Sequence, residues 1–273
     1  MDTRPLEARD AADLSLTVVR HGAGIDEAMV SYAKGKIAIA ARAAPAPVLF
    51  GRIKITHEPD PSLERPIIVS VTLDVDGHPV RAHAAAPTIR DAIDLAEERT
   101  RRQLVDARHR IAFLRRRHTG IAAAGEWRHG DEPTVRPGFY PRPAEEREVV
   151  RTKRYGLSRC APEEAVVQME MLDHDIHLFV DAATGSDAVV RRLPGGGYEI
   201  SRATPAGSAE REPSPLRTGP RPPRLGLGSA VERLNETDER SLFYVDAESD
   251  RGAVLYRRYD GHYGVIEAGA TDR

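Results

Sequence analysis

A single cysteine in 273 residues, Cys160, leaves this chain without an intrachain disulfide and without a cysteine-based zinc site. Aromatic residues are scarce as well, at 5%. Two or three small cores joined by polar segments therefore fit better than one large core. No apolar run reaches the length of a membrane span. The N-terminal MDTRPLEARDAAD is acidic and polar, unlike a secretory signal, and residues 1–13 read as a disordered N-terminus of a cytoplasmic protein. Nucleophile elbow, P-loop and HExxH motifs are all missing. The expectation is no catalytic residue, no metal, no cofactor and no small-molecule substrate.

The formal net charge is only −2, but it is unevenly spread. Residues 14–118 hold 17 Lys and Arg against 12 Asp and Glu, while residues 119–273 hold 21 against 26. A basic first part suits an RNA partner, although an excess of this size is weak evidence by itself. Two Pro- and Gly-rich stretches, 119–147 and 201–223, read as linkers. They divide the chain into an N-terminal domain, 14–118, and two small pieces, 148–200 and 224–268.

The first domain reads strand, helix, three strands, helix. Leu14, Leu16 and Val18 alternate in a first strand. Ile25, Met29, Ala33 and Ile37 form a helical stripe behind the acidic start Asp26-Glu27. Leu49, Ile53 and Ile55 face one side of a strand, with Arg52, Lys54 and Thr56 on the other. Ile67 to Val75 alternates most clearly, and Asp76-Gly77 marks a hairpin into Val80, Ala82 and Ala84. Thr88 with Asp91 resembles a capping box for a long helix with an inner stripe from Ile89 to Leu114. The fold class is α+β: a βαβββα sandwich with two helices on one face of a four-stranded sheet, followed by two small β-rich repeat domains.

The repeats show in the sequence itself. Residues 165–200 align with 230–265 without a gap at an offset of 65, with identities such as Asp181/Asp246, Ala188/Ala253, Gly196/Gly261 and Tyr198/Tyr263. Each copy reads as a short helix and a small β-meander. Such a sheet has an apolar face to cover, and pairing between copies is the simplest cover. Leu178 and Val180 in one copy and Phe243 and Val245 in the other are the expected pairing interface.

The candidate nucleic-acid site is the long helix. Arg99, Arg101, Arg102, Arg108, Arg110, Arg115, Arg116 and Arg117, with His109 and His118, lie off its apolar stripe, and within that span only Asp106 opposes them. A solvated surface is the ordinary explanation of a charge run. Exposed helices usually mix signs, however, and the one-sided sign here points to phosphate. Lys34 and Lys36 on the first helix and Arg52 and Lys54 on a strand extend the patch. Tyr32 is expected to pack on the helix stripe. His174-Asp175-Ile176-His177 has metal-capable side chains but no third ligand. Gly195-Gly196-Gly197 sits where the second copy has Asp260-Gly261-His262, so a hairpin turn explains both.

Several of these residues resemble a known family. Ala92-Ile93-Asp94-Leu95 with Arg102-Gln103-Leu104, and Ile25-Asp26-Glu27-Ala28 leading to Tyr32 and Lys36, resemble the two helices of the ribosome hibernation promoting factor and ribosome-associated inhibitor family. Val150 to Tyr155, Pro162-Glu163-Glu164-Ala165, and Tyr256 to Glu267 are similar to the C-terminal domain of its long form. The resemblance implies a bacterial cytoplasmic protein that inhibits translation from the mRNA and tRNA channel of the 30S subunit, against 16S rRNA, in 70S ribosomes held inactive during dormancy or stress. In long forms the C-terminal domain homodimerises and pairs two ribosomes. The duplication departs from that pattern and resembles the dormancy-associated inhibitors of mycobacteria. Gly35 stands where the family usually has a basic residue, and the second repeat shows no clear counterpart of the Val150–Tyr155 strand. The alternatives are a double-stranded-RNA-binding regulator, a ribosome-pairing dimerisation module, and a nuclease using His and Asp.

Overall fold

The computed structural model describes residues 14–59, 63–118, 142–194, 196–204 and 216–269. It divides into two compact units, the first running to Arg116 and including Met171–Asp173, the second holding the rest of both repeats.

The first unit contains β1 (Leu16–His21), α1 (Glu27–Ala41), β2 (Val48–His57), β3 (Ile67–Val75), β4 (His78–Ala86) and α2 (Ile89–His118). The strands lie in the order β1-β2-β3-β4. The β1–β2 pair is parallel, as a connection through α1 requires, and the other pairs are antiparallel. Alternation is strictest in β3, where Ile67, Val69, Val71, Leu73 and Val75 are buried. Asp76 and Gly77 both take positive φ, 53° and 81°, in a two-residue type I′ turn, and Gly77 N–H donates to Asp74 Oδ1 at 2.7 Å. Asp26 caps α1 by accepting from Met29 N–H at 2.8 Å. Thr88 Oγ1 accepts from Asp91 N–H at 3.2 Å and opens α2.

Two details differ from the sequence reading. The β2–β3 register shifts between Val48 and Phe50, which breaks the alternation and leaves Leu49 exposed. In α1 the buried stripe is Val30, Ala33, Ile37 and Ala40: Ala33 and Ile37 lie where expected, Ile25 is buried just ahead of the helix, and Val30 takes the inward place of the half-buried Met29. In α2 the buried stripe runs Ala92, Ile93, Ala96, Thr100, Leu104, Ala107 and Ile111. The side chains of Leu114, Arg115, Arg116, Arg117 and His118 lie outside the described residues.

In the second unit, β5 (Val149–Tyr155) precedes the first repeat, which comprises β6 (Arg159–Cys160), α3 (Pro162–Met171), β7 (Ile176–Asp181), β8 (Asp187–Arg192) and β9 (Tyr198–Arg202). Next come β10 (Arg217–Thr218) and the second repeat, β11 (Arg224–Leu225), α4 (Leu227–Asn235), β12 (Ser241–Asp246), β13 (Gly252–Arg257) and β14 (Tyr263–Ala268). The offset of 65 carries β6 onto β11, β7 onto β12, β8 onto β13 and β9 onto β14. Their turns share hydrogen bonds too: Gly196 N–H to Leu193 O in one copy and Gly261 N–H to Arg258 O in the other, both 3.0 Å.

The leading strands are exchanged. The sheets are β10-β9-β8-β7-β6 and β11-β12-β13-β14-β5. β5 precedes the first repeat yet pairs in parallel with β14 of the second, and β10 precedes the second repeat yet pairs in parallel with β9 of the first. β10 is thus the structural counterpart of β5, shortened to two residues between Pro215 and Pro220, neither of which can donate to a ladder. Side chains follow the same exchange. Leu216 is buried in the first repeat's core with Val166, Met169 and Phe179. Val149 packs on the second repeat's core of Leu234, Tyr244, Leu255 and Tyr263. Both ends of 201–223 therefore carry strand residues, and 205–215 lie outside the described residues.

Candidate nucleic-acid interface

Helix α2 spans 30 residues, about 45 Å at 1.5 Å per residue. Burial of its inner stripe forces the remaining positions outward. Arg101, Arg102, Arg108 and His109 are exposed, while Arg99 and Arg110 are half-buried. The local partners then sort these cations. Arg99 donates to the His83 carbonyl on β4, which ties the helix to the sheet. Arg102 Nη2 donates to Glu98 Oε1 at 3.0 Å, so Glu98 opposes this face as well as Asp106. Arg110 Nη1 donates to Gln103 Oε1 at 2.8 Å, and Arg110 lies 3.9 Å from Asp106. Arg101 and Arg108 have no protein partner among the described residues. Seven positions apart, they fall within about 20° of each other around the helix and about 10.5 Å apart along it.

Lys36 is engaged differently. Its ammonium sits 2.7 Å from Asp94 Oδ1, which also accepts from the Tyr32 hydroxyl at 2.7 Å. The Arg90 guanidinium lies over the Tyr32 ring, 4.7 Å from its centroid, and the Lys36 ammonium lies 5.5 Å from the same centroid. Tyr32 therefore ties α1 to α2 through its polar end rather than lying on the apolar stripe. The Lys36 hydrogen bond holds the Asp94 carboxyl below the ordinary carboxylate range, and Asp94 in turn raises Lys36. Lys34 is exposed beside it.

Arg52 and Lys54 lie on the other side of the domain, on the sheet face away from the helices. In register, Arg52 sits between Thr17 and Thr72, and Lys54 sits between Val19 and Ser70. Arg81 follows Thr72 on β4 and donates from Nε and Nη2 to Ser70 Oγ, both at 3.2 Å. The proposed cations thus form two groups on opposite faces, one on the helix layer and one on the sheet. Arg81 is a member that sequence reasoning missed, although its place between inward Val80 and Ala82 marks it as outward. Asp94 as the partner of Lys36, and Arg90 as a neighbour of the Tyr32 ring, were missed because nothing in the sequence links the two helices at these positions.

The repeat surfaces also come together. Leu178 and Val189 of the first repeat form one buried cluster with Phe243 and Val254 of the second. These are equivalent positions, since 178 maps to 243 and 189 to 254. Val180 and Val245 are half-buried at the edge of the same strand faces. Asp187, 6% exposed at its side chain, accepts from Arg251 Nε at 2.7 Å, Arg251 Nη2 at 3.0 Å and Gly252 N–H at 2.8 Å. His177 faces α3, with Nε2 3.2 Å from Gln168 Oε1, and burial pushes its pKa down to about 4. Among the described residues no cluster of three or more metal-capable side chains occurs. No described helix is long and apolar enough to cross a membrane.

These features define a modular α+β protein: a two-layer domain with a cationic helix, then a duplicated β-meander. Residues 16–112 match the family model described as Sigma 54 modulation protein / S30EA ribosomal protein, and residues 144–200 and 221–265 match that of its C terminus. The chain therefore belongs to the long-form S30AE family of ribosome hibernation factors. It is 34% identical over 210 residues to the dormancy associated translation inhibitor of Mycobacterium tuberculosis, covering 74% of this chain and 70% of that protein. It is 31% identical over 132 residues to the ribosome hibernation promotion factor of Lactococcus lactis, covering 48% of this chain and 69% of the relative. A solved structure, the N-terminal domain of Thermus thermophilus Protein Y, is matched over 35% of this chain and all of its own length, at 18% identity and a TM-score of 0.30.

Proposed function

We propose that this chain inhibits translation by occupying the mRNA and tRNA channel of the 30S subunit against 16S rRNA, holding ribosomes inactive during dormancy or stress. The observation that carries this reading is the pair Arg101 and Arg108, exposed, aligned and unpartnered on a helix whose other described arginines are engaged within the fold. Two guanidinium groups on one line suit successive phosphates of a structured RNA. Lys34, Lys36 and Arg102 extend the contact on the helix layer, and Arg52, Lys54 and Arg81 offer a second one on the sheet. Family membership and the names of the relatives support the ribosome as the partner.

The test is binding of full-length protein to 30S subunits across a salt series, beside the same measurement with free duplex RNA. Salt-sensitive, ribosome-selective binding that stops synthesis supports the reading. Equal affinity for duplex RNA would favour a double-stranded-RNA regulator instead.

The covered faces of the two repeats favour a second point. With Leu178, Val189, Phe243 and Val254 buried against one another, the surface that would join two chains is already used. We infer that this chain holds single 70S ribosomes rather than pairs. Sucrose gradients with purified protein test this, and a 100S peak overturns it.

A further inference from the structure

We propose that the two repeats are specialised partners: each selects the other and rejects a second copy of itself, with Asp187, Arg251 and Gly252 as the specificity-determining residues. The proposal rests on the pairing of the repeats within the chain and is independent of what the N-terminal domain binds.

The offset of 65 carries Ser186-Asp187 onto Arg251-Gly252. A twofold pairing places each of these positions near its equivalent on the other half. Between unlike repeats the result is complementary: the Asp187 carboxylate receives both arms of Arg251 and the Gly252 N–H. Gly252 has a steric part as well, because a Cβ there would lie 2.8 Å from the Asp187 Cβ and 3.0 Å from the Phe243 ring.

Like repeats fail on every count. Two first repeats would bring Asp187 against Asp187, with both Cβ atoms inside van der Waals contact and two carboxylates facing Ser186 without a cation. Two second repeats would set each Arg251 opposite Gly252, with no carboxylate to receive it. The apolar cluster repeats the pattern. Unlike pairing buries one Leu178 and one Phe243, whereas like pairing buries two leucines, too small for the space, or two phenylalanines, too large. Contact between chains is then possible only by reciprocal exchange of unlike repeats, in competition with a tethered partner at high effective concentration.

The experiment uses full-length chains carrying Asp187→Arg or Arg251→Asp. Each alone places like charges across the pair in any arrangement, so each should melt at least about 10 °C below the parent. Unfolded together and refolded as an equal mixture, they should yield a heterodimer of twice the chain mass by light scattering. In that heterodimer one contact joins the two substituted side chains, again of opposite charge, and the other contact is the native pair. The double variant in one chain should be monomeric and recover more than half of the lost melting temperature. A mixture that behaves as the sum of its components, or a double variant no better than the two singles combined, overturns the proposal. If the single variants do not fold alone, recovery on mixing remains the readout. The helix cations are untouched, so a mixture that dimerises but no longer inhibits ribosomes counts against the proposed function and leaves this inference standing.

Discussion

The arginines of α2 divide by what holds them. Arg101 and Arg108 are exposed, while Arg99 and Arg110 are bound to β4 and to Gln103. Arg101→Ala with Arg108→Ala should therefore leave the melting temperature unchanged and weaken 30S binding, with the slope of log affinity against log salt shallower by about two. Arg110→Ala should do the opposite, lowering stability by about 1 kcal/mol with a smaller effect on binding. Binding titrations at several salt concentrations, beside thermal melts, separate these outcomes. His177 predicts a pH dependence. Its folded pKa of about 4 lies below the ordinary 6.5, so between these values the unfolded chain takes up a proton that the folded chain does not. Stability should fall as pH drops from about 6.5 to about 4 and level off below, and His177→Leu should flatten that part of the curve. A wild-type melting temperature that is constant from pH 7 to pH 4.5 would contradict the burial of this ring.

At the scale of elements, β5 is a strand far in sequence from the sheet it completes. A proline on it should act at a distance: Thr152→Pro and Lys153→Pro, opposite Val265 and Ile266, bracket the ladder N–H. The variant that removes it should raise amide exchange at Tyr263–Ala268 and spare Tyr198–Arg202. Loss of protection in the first repeat instead would place β5 wrongly. This element also marks the limit of what the sequence reveals. Alternation in Ile67–Val75, the Asp76-Gly77 turn and the offset of 65 are local signals, and the N-terminal sandwich and the duplication follow from them. The resemblance marks Val150–Tyr155 as a leading strand, but a strand's partner is a long-range choice, and two copies of the sheet follow it along the chain. The link of Lys36 to Asp94 was hidden for the same reason, being a contact across 58 positions. β10 was hidden by its composition, since two residues between prolines carry no period.

For the whole molecule, the exchange of β5 and β10 makes the two repeats one folding unit. Co-expressed fragments 1–210 and 211–273 should elute as a single particle, because each sheet needs a strand from the other side of the cut; separate elution would show that the exchanged strands are dispensable. The exchange also governs how the protein responds to its own abundance. A factor that must find a second chain is assembled in proportion to the square of its concentration, and so is nearly inactive while scarce. Here both halves arrive on one polypeptide. The assembled fraction is the same at the first molecule made as at the last, its melting temperature should not move with dilution, and the number of ribosomes silenced should rise in direct proportion to the number of chains.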